Sequence, residues 1–337
     1  MTALPWAARV ELWDRGLAAV RAYLRAEGMR EVSTPVRVAA PAIEPFIEPI
    51  AAPPGYLATS PELAMKRLLC RGAPSIFQIS HVFREAEIGA QHSEEFHLVE
   101  WYRVDAGEGA FAAVIDDVER LVAAVWSALG RAPPRWERHD LLDVLAETTG
   151  LRLRGDEARA PLVRAVVDAG LDPSRTLPRT VAAPPADPSV ATLLAWTELF
   201  TSWSDDALAT WLSGRAAGVH LVGFPAALAA LSECTAHHGR AIALRFESHV
   251  MGVELANGYQ ELRDAAEQRR RFERVNLLRA AHDQAPLPID AGFLEDLAGP
   301  GLPPCAGVAL GLDRLLMLAT GVASLGDIAL AIADASP

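Results

Sequence analysis

The sequence predicts an α+β protein, and two hairpin-like stretches with amphipathic helices around them carry that expectation. Residues 75–103 hold two alternating runs, 76–83 and 96–102, rich in β-branched and aromatic residues and joined by a polar loop. Residues 241–257 repeat the pattern around a turn at Val250-Met251-Gly252. Helical spacing dominates 10–24, 60–72 and 109–130.

In the first hairpin the parity of the second run is informative. Phe96, Leu98, Glu100 and Tyr102 share one face, and His97, Val99, Trp101 and Arg103 the other. A ring, a carboxylate and a phenol side by side make an odd core but a plausible ligand floor. Arg84, at the end of the first run, and His92 in the loop suit an anionic, planar ligand such as a nucleotide.

Taken in order, Val10, Trp13, Leu17, Val20 and Leu24 form an amphipathic helix closed by Gly28. The extended run 30–38 contains Pro35, which cannot donate to a ladder and so belongs at a sheet edge or a subunit boundary. Residues 39–55 read as a loop or irregular hairpin. Ser60-Pro61-Glu62 starts a helix with a hydroxyl cap and a proline at the first helical position. In 131–230, helical pieces alternate with Pro-rich stretches, notably 178–188. There the helical spacing of Trp196, Phe200, Trp203 and Trp211 favours core over a recognition box.

Glu247 and Glu254 stand on opposite arms of the second hairpin, where two carboxylates repel unless a cation lies between them. Hard oxygen ligands of this kind suit Mg²⁺. Glu261 is expected to open a long Arg-rich helix with a solvated face. Gly307, Ala309 and Gly311 share one bare strand face against which a flat ligand can lie. Arg314 follows in the first turn of the next helix.

At 337 residues and 51% hydrophobic content the chain can bury a sizeable core, as two or three domains or as one with an insertion. A net charge of −12 excludes broad nonspecific binding to phosphate backbones and leaves room for a localised contact to RNA or an RNA-like protein. Three scattered cysteines without a CxxC pair fit a reducing cytoplasm. No apolar run is long enough to span a bilayer, so a cytoplasmic protein is expected. Lys66 is the only lysine among 31 basic side chains. Arginine bias explains most of that, and a lysine that survives it hints at a need for a compact, flexible ammonium.

These strings resemble the class II aminoacyl-tRNA synthetases. VFRxxE…H…EFHLVEWYR resembles motif 2, GVALGLDRLLML motif 3, and 30–35 motif 1 with its dimer-interface proline. TSPELAMKRLL and VELANGYQELRD are similar to the lysyl subclass. SPExxMKRLL, EWYR, ELANG and CxGVALGxDRLxML are similar to the elongation factor P (R)-β-lysine ligase family in particular. Ala309, where the tRNA-charging enzymes carry glycine, supports that choice, as does the start of the catalytic helix near Arg9, ahead of which no anticodon-binding domain is expected. GxxxxGK[ST], HExxH, GxSxG and a class I HIGH-like motif are absent.

The resemblance implies a class II catalytic core, a mostly antiparallel sheet flanked by helices, spanning 1–337 as a single domain with a variable insertion at about 131–230. It implies a homodimer that joins a lysine-like amino acid to ATP as an aminoacyl-adenylate and transfers the acyl group to a lysine of elongation factor P, with tRNA an unlikely acceptor. Arg84 would hold the α-phosphate and Arg314 the γ-phosphate, with Glu87 and His92 near the nucleotide. Phe96 would stack on adenine opposite Gly311, and Glu247 and Glu254 would bind Mg²⁺. Ser60, Glu62, Glu100, Tyr102, Asn257, Glu261, Gly307 and Ala309 would form the amino-acid pocket. A site that satisfies two ammonium groups rejects substrates lacking one, because its own acids would be stranded.

The loop departs from the family. Where the pattern reads Arg-Asn-Glu-Glu, this chain has Arg84-Glu85-Ala86-Glu87, replacing the glutamate that contacts the adenine amino group. Where it reads Arg-x-His-Asn-Pro-Glu-Phe, this chain has Ala90-Gln91-His92-Ser93-Glu94-Glu95-Phe96. Losing the loop arginine costs about 1.5–3 kcal/mol of phosphate binding unless Glu85, Glu87 or His92 substitutes. Two other readings follow from these changes: adenylation with a different acceptor (a carrier protein, small molecule or RNA), and a synthetase-like regulator that binds an amino acid without activating it.

Overall fold

Both expected hairpins lie in one nine-stranded sheet. The computed structural model describes residues 3–105, 109–181, 185–215 and 217–330. The chain opens with α1 (Trp6–Ala26) and β1 (Arg30–Glu31), then a small sheet of β2 (Arg37–Val38), β3 (Ala51–Ala52) and β4 (Gly55–Leu57). Next come α2 (Glu62–Cys70), β5 (Ile76–Phe83), β6 (Glu95–Val104), α3 (Ala110–Ala128) and β7 (Trp136–Asp140). Helices α4 (Leu141–Thr149), α5 (Arg159–Asp168), α6 (Pro173–Thr176), α7 (Pro188–Trp203) and α8 (Ala209–Ser213) lead to β8 (Gly218–Pro225). The chain continues through β9 (Cys234–His237), β10 (Arg240–Val250) and β11 (Val253–Gln260). It then passes through α9 (Ala265–Ala281), α10 (Ala291–Ala298), β12 (Cys305–Gly311) and α11 (Leu312–Thr320).

The main sheet runs β1-β5-β6-β12-β11-β10-β8-β7, with β9 beside β10. Every pair is antiparallel except β1–β5 and β7–β8. The expected α+β class and mostly antiparallel sheet are therefore both present. The run 30–38 splits at Pro35: its first half is the edge strand β1, and its second half pairs in the small sheet. The β10–β11 turn places Met251 (φ 53°) and Gly252 (φ 79°) both in the left-handed region, the geometry that matches the twist of a tight hairpin.

One face of the sheet is dry. Val99 and Trp101 of β6, Phe246 of β10 and Val308 of β12 pack with α1, α3 and α11 into the main core. The buried stripe of α1 is Leu12, Trp13, Gly16, Val20 and Leu24, slightly rotated from the expected one, and Val10 is exposed. Buried Asp117 of α3 ties this face together, accepting from Tyr23 Oη at 2.8 Å, Trp101 Nε1 at 3.2 Å and Arg103 Nη2 at 2.6 Å.

A second cluster joins α4–α8 to β8; Trp196 and Trp203 are buried in it and Phe200 and Trp211 pack against it, as their spacing suggested. Strands β7 and β8, at the two ends of 131–230, belong to the main sheet and were not legible as strands. Helix α9 also differs from expectation. It begins at Ala265, capped by the Asp264 carboxylate, so Glu261 lies outside it. Its face is not wholly solvated either, since Arg271 is mostly buried and Arg279 fully so.

Candidate active site

Strand register builds the site. Reading across four neighbouring strands, Glu247 of β10 stands opposite Asn257, Asn257 opposite Ala309, and Ala309 opposite Glu100. The next row is Arg245, Tyr259, Gly307 and Tyr102. Small residues thus occupy the centre of both rows, with charged and hydroxyl groups around them. The result is a cavity of about 350 Å³ on the face of the sheet away from the main core. A Cβ at Gly307 would collide with the Tyr102 ring and the Glu261 carboxylate, so glycine leaves just enough room at that end.

Every residue singled out for the site lines this one cavity: Ser60, Glu62, Arg84, Glu87, His92, Phe96, Glu100, Tyr102, Glu247, Glu254, Asn257, Glu261, Gly307, Ala309, Gly311 and Arg314. Sequence reasoning missed Glu44, Arg245 and Tyr259, which line it too. Parity could have found Arg245 and Tyr259, since they alternate with Glu247 and Asn257. Glu44 lies on an irregular loop and carried no signal.

One end of the cavity is acidic and closed. Helix α2 starts at Glu62 with Pro61 as its N-cap, one residue later than expected. Ser60 Oγ, just ahead of it, accepts from the backbone N–H of Glu62 at 2.9 Å and donates to Glu100 Oε1 at 2.6 Å. The Glu100 carboxyl is pushed up to about 8, by burial first and by the Glu62 charge second. Tyr102 is raised further still, by burial and then by Glu100. Glu62 and Glu261 both hold Lys66, whose Nζ lies 2.5 Å from Glu62 Oε1 and 2.5 Å from Glu261 Oε2. Burial alone would discharge that lysine, but the two carboxylates overcome it and raise its pKa. Glu261 is raised to about 7 by burial, against the pull of Lys66.

The opposite end is cationic. The Arg84 guanidinium lies 5.0 Å from the Phe96 ring centroid. Arg314 donates to Gln91 O at 3.2 Å, to Glu254 O at 2.9 Å and to His92 Nε2 at 3.0 Å, pinning the β5–β6 loop against the β10–β11 hairpin. Ala86 adopts φ 62°, an unusual conformation for a residue with a Cβ, held by its N–H to Glu94 Oε1 at 3.0 Å. Glu247 is raised to about 7 by burial and by facing Glu254, and Arg245 opposes that rise from 2.7 Å. Among the described residues, buried Asn257 Oδ1 has no hydrogen-bond partner.

A mostly antiparallel sheet with an arginine just past the end of β5 and another in the first turn of the helix after the last strand defines a class II synthetase catalytic domain. Consistent with this, the model of the family tRNA synthetases class II (D, K and N) matches residues 7–331. Proteins named elongation factor P–(R)-β-lysine ligase from Salmonella dublin, Salmonella heidelberg (strain SL476) and Salmonella enteritidis PT4 are each 34% identical to it over 324 residues, covering 93% of this chain and 91% of theirs. The chain belongs to this ligase family within the class II synthetases.

Proposed function

We propose that the protein activates lysine or a lysine isomer, β-lysine above all, with ATP and transfers it to a lysine side chain of elongation factor P. The arrangement that carries this reading is a single cavity with two guanidinium groups at one end and buried carboxylates around a closed end. A substrate carboxylate oxygen attacks the α-phosphorus, pyrophosphate leaves, and an aminoacyl-adenylate forms. The ε-amino nitrogen of the acceptor lysine then attacks the acyl carbon, and AMP leaves as that nitrogen loses a proton. Such chemistry needs positioning and charge neutralisation more than covalent help from the protein.

Arg84 and Arg314 meet the α- and γ-phosphates in this reading, with Phe96 and Gly311 against adenine and Glu87 and His92 beside the phosphates. Glu62, Glu100, Glu261, Tyr102, Ser60 and Asn257 receive the amino acid against the small surface of Gly307 and Ala309. The donor set fits Mg²⁺: Glu247 and Glu254 offer hard oxygens beside the partnerless Asn257 Oδ1, and phosphates would complete the shell. When bound, that ion supplies positive charge to the polyphosphate. Edge strand β1, followed by Pro35, suits the dimer boundary of class II enzymes. A net charge of −12 fits a protein acceptor better than tRNA, in the cytoplasm.

The test is to incubate the protein with ATP, Mg²⁺, lysine isomers and elongation factor P of the same organism, and to weigh the factor. A gain of one lysyl residue is expected. Pyrophosphate exchange without any mass gain would instead favour another acceptor, a reading motivated by the altered 84–96 loop. Absence of exchange with every isomer would overturn the enzymatic reading.

A further inference from the structure

Glu44 belongs to none of the roles above, yet it lines the cavity. Its loop is fixed from behind. Fully buried Arg279 of α9 donates to the carbonyls of Glu44 at 3.4 Å and Ile47 at 3.3 Å and to Glu48 Oε2 at 2.6 Å. Glu48 O in turn accepts from the backbone N–H of Glu85 at 2.8 Å, so this loop and the Arg84 loop are tied together. Among the described residues the Glu44 carboxylate accepts no hydrogen bond. Burial raises its pKa, with Glu62 adding to the rise, while the Arg84 charge and, less strongly, Arg245 oppose it. Among the described residues both guanidiniums have a buried Nε without a partner, although Arg245 donates through its other nitrogens to Glu247 Oε1 at 2.7 Å and Leu228 O at 3.1 Å.

A carboxylate lacking a donor beside the Arg84 guanidinium, whose buried Nε lacks an acceptor among the described residues, is complementary to a group carrying both charges. The head of an amino acid, a carboxylate with a nearby ammonium, is such a group. Glu62 is already engaged by Lys66, whereas Glu44 is not. Arg84 marks the reacting end of the cavity, and the bond from Glu85 N–H to Glu48 O ties the Glu44 loop to it, so Glu44 is assigned to the head of the substrate rather than to its tail.

We propose that Glu44 is a specificity-determining residue whose carboxylate receives the ammonium nearest the reacting carboxylate of a diamino-acid substrate. The inference rests on the activation reading above. It has a second consequence. With no amino acid bound, the Glu44 charge beside Arg84 opposes the phosphates of ATP, so amino acid and ATP bind cooperatively.

The test compares wild type with Glu44→Gln, using a lysine isomer and 6-aminohexanoic acid, which lacks the head ammonium, the latter as substrate or as competitor. Removing one charged hydrogen-bond partner should raise KM for the isomer about tenfold or more, leave 6-aminohexanoic acid within about twofold, and tighten ATP binding measured alone by calorimetry. A structural role would move both amino compounds together, and that result, or no change in either, overturns the inference. Weaker ATP binding in the variant also overturns it. If Glu44→Gln does not fold, Glu44→Ala takes its place in the same comparison. Wild-type pyrophosphate exchange separates the two levels: exchange with an unchanged preference in the variant removes this inference alone, and no exchange with any isomer removes the activation reading and this inference with it.

Discussion

Lys66 and Glu261 form an ion pair with both side chains 1% exposed and Nζ 2.5 Å from Oε2, directly behind the closed end of the cavity. The single lysine of the chain thus holds two acids, Glu62 and Glu261, that would otherwise repel. Arginine is too large for the position, and its fork is built for a bidentate partner rather than for two separate carboxylates. Breaking a buried pair from one side leaves an uncompensated charge, so Lys66→Met should lose about 3–5 kcal/mol of stability at pH 8. The deficit should shrink near pH 5, where the stranded acids take up protons. Urea unfolding at both pH values measures it, and a variant as stable as wild type at pH 8 would contradict the account.

Glu100 makes stability and substrate binding depend on pH. The unfolded carboxyl titrates near its ordinary value of 4.5, the folded one at about 8. Between these values the folded chain holds a proton that the unfolded chain has released. Stability attributable to Glu100 is therefore complete below the lower value and falls as pH rises to the upper one, by up to about 1.4 kcal/mol per pH unit. Glu100→Gln should flatten that slope in thermal unfolding between pH 5 and 8. An ammonium ligand favours the ionised carboxyl, so binding of a lysine isomer at pH 7 should release about one proton. Calorimetry in buffers of different protonation enthalpy reads this directly, and proton uptake would contradict it.

Much of this site was legible because strand parity is a local property. The alternation of 96–102 placed Phe96, Leu98, Glu100 and Tyr102 on the cavity face, and the same rule placed Gly307, Ala309 and Gly311. What was not legible depends on distant contacts. Glu261 looked like the start of a helix, because nothing local reveals that its backbone pairs with Ser232 and its carboxylate with Lys66. Strand β7 reads Trp-Glu-Arg-His-Asp, a polar run that becomes a strand because β8 lies parallel beside it. The Glu44 loop is anchored by Arg279, more than two hundred residues away, a contact no local pattern reveals.

The 84–96 loop carries the departures from the family, and its geometry suggests how far they matter. His92 Nε2 accepts from Arg314 Nη2 at 3.0 Å and lies 3.5 Å from Glu87 Oε2, so the loop imidazole is tied to the Arg314 guanidinium. Arg84→Ala should reduce pyrophosphate exchange about 10²–10³-fold, the usual effect of removing a donor aimed at developing charge. Ala90→Arg, which returns a cation to the loop, should tighten ATP binding about tenfold. Equal ATP affinity in wild type and Ala90→Arg would mean that His92 already replaces the lost contact, and His92→Ala should then weaken ATP about tenfold.

Gly307 offers the sharpest separation of the two subsites. Its missing Cβ is the space between the Tyr102 ring and the Glu261 carboxylate, while Arg84 and Arg314, proposed to meet the nucleotide, lie along the cavity from it. Gly307→Ala must push Tyr102 or Glu261 aside, and Glu261 is held by Lys66. In the proposed activity the displacement falls on the tail of the amino acid, so KM for a lysine isomer should rise about 10²-fold, the effect expected of misplacing a bound group by about 1 Å. ATP affinity in the absence of amino acid should stay within about twofold, because no phosphate contact is touched. Calorimetric titration with ATP alone, set against pyrophosphate exchange at varied amino acid, distinguishes this from general damage. Loss of ATP binding in Gly307→Ala would show that the two ends of the cavity are not the separate subsites that the strand register lays out.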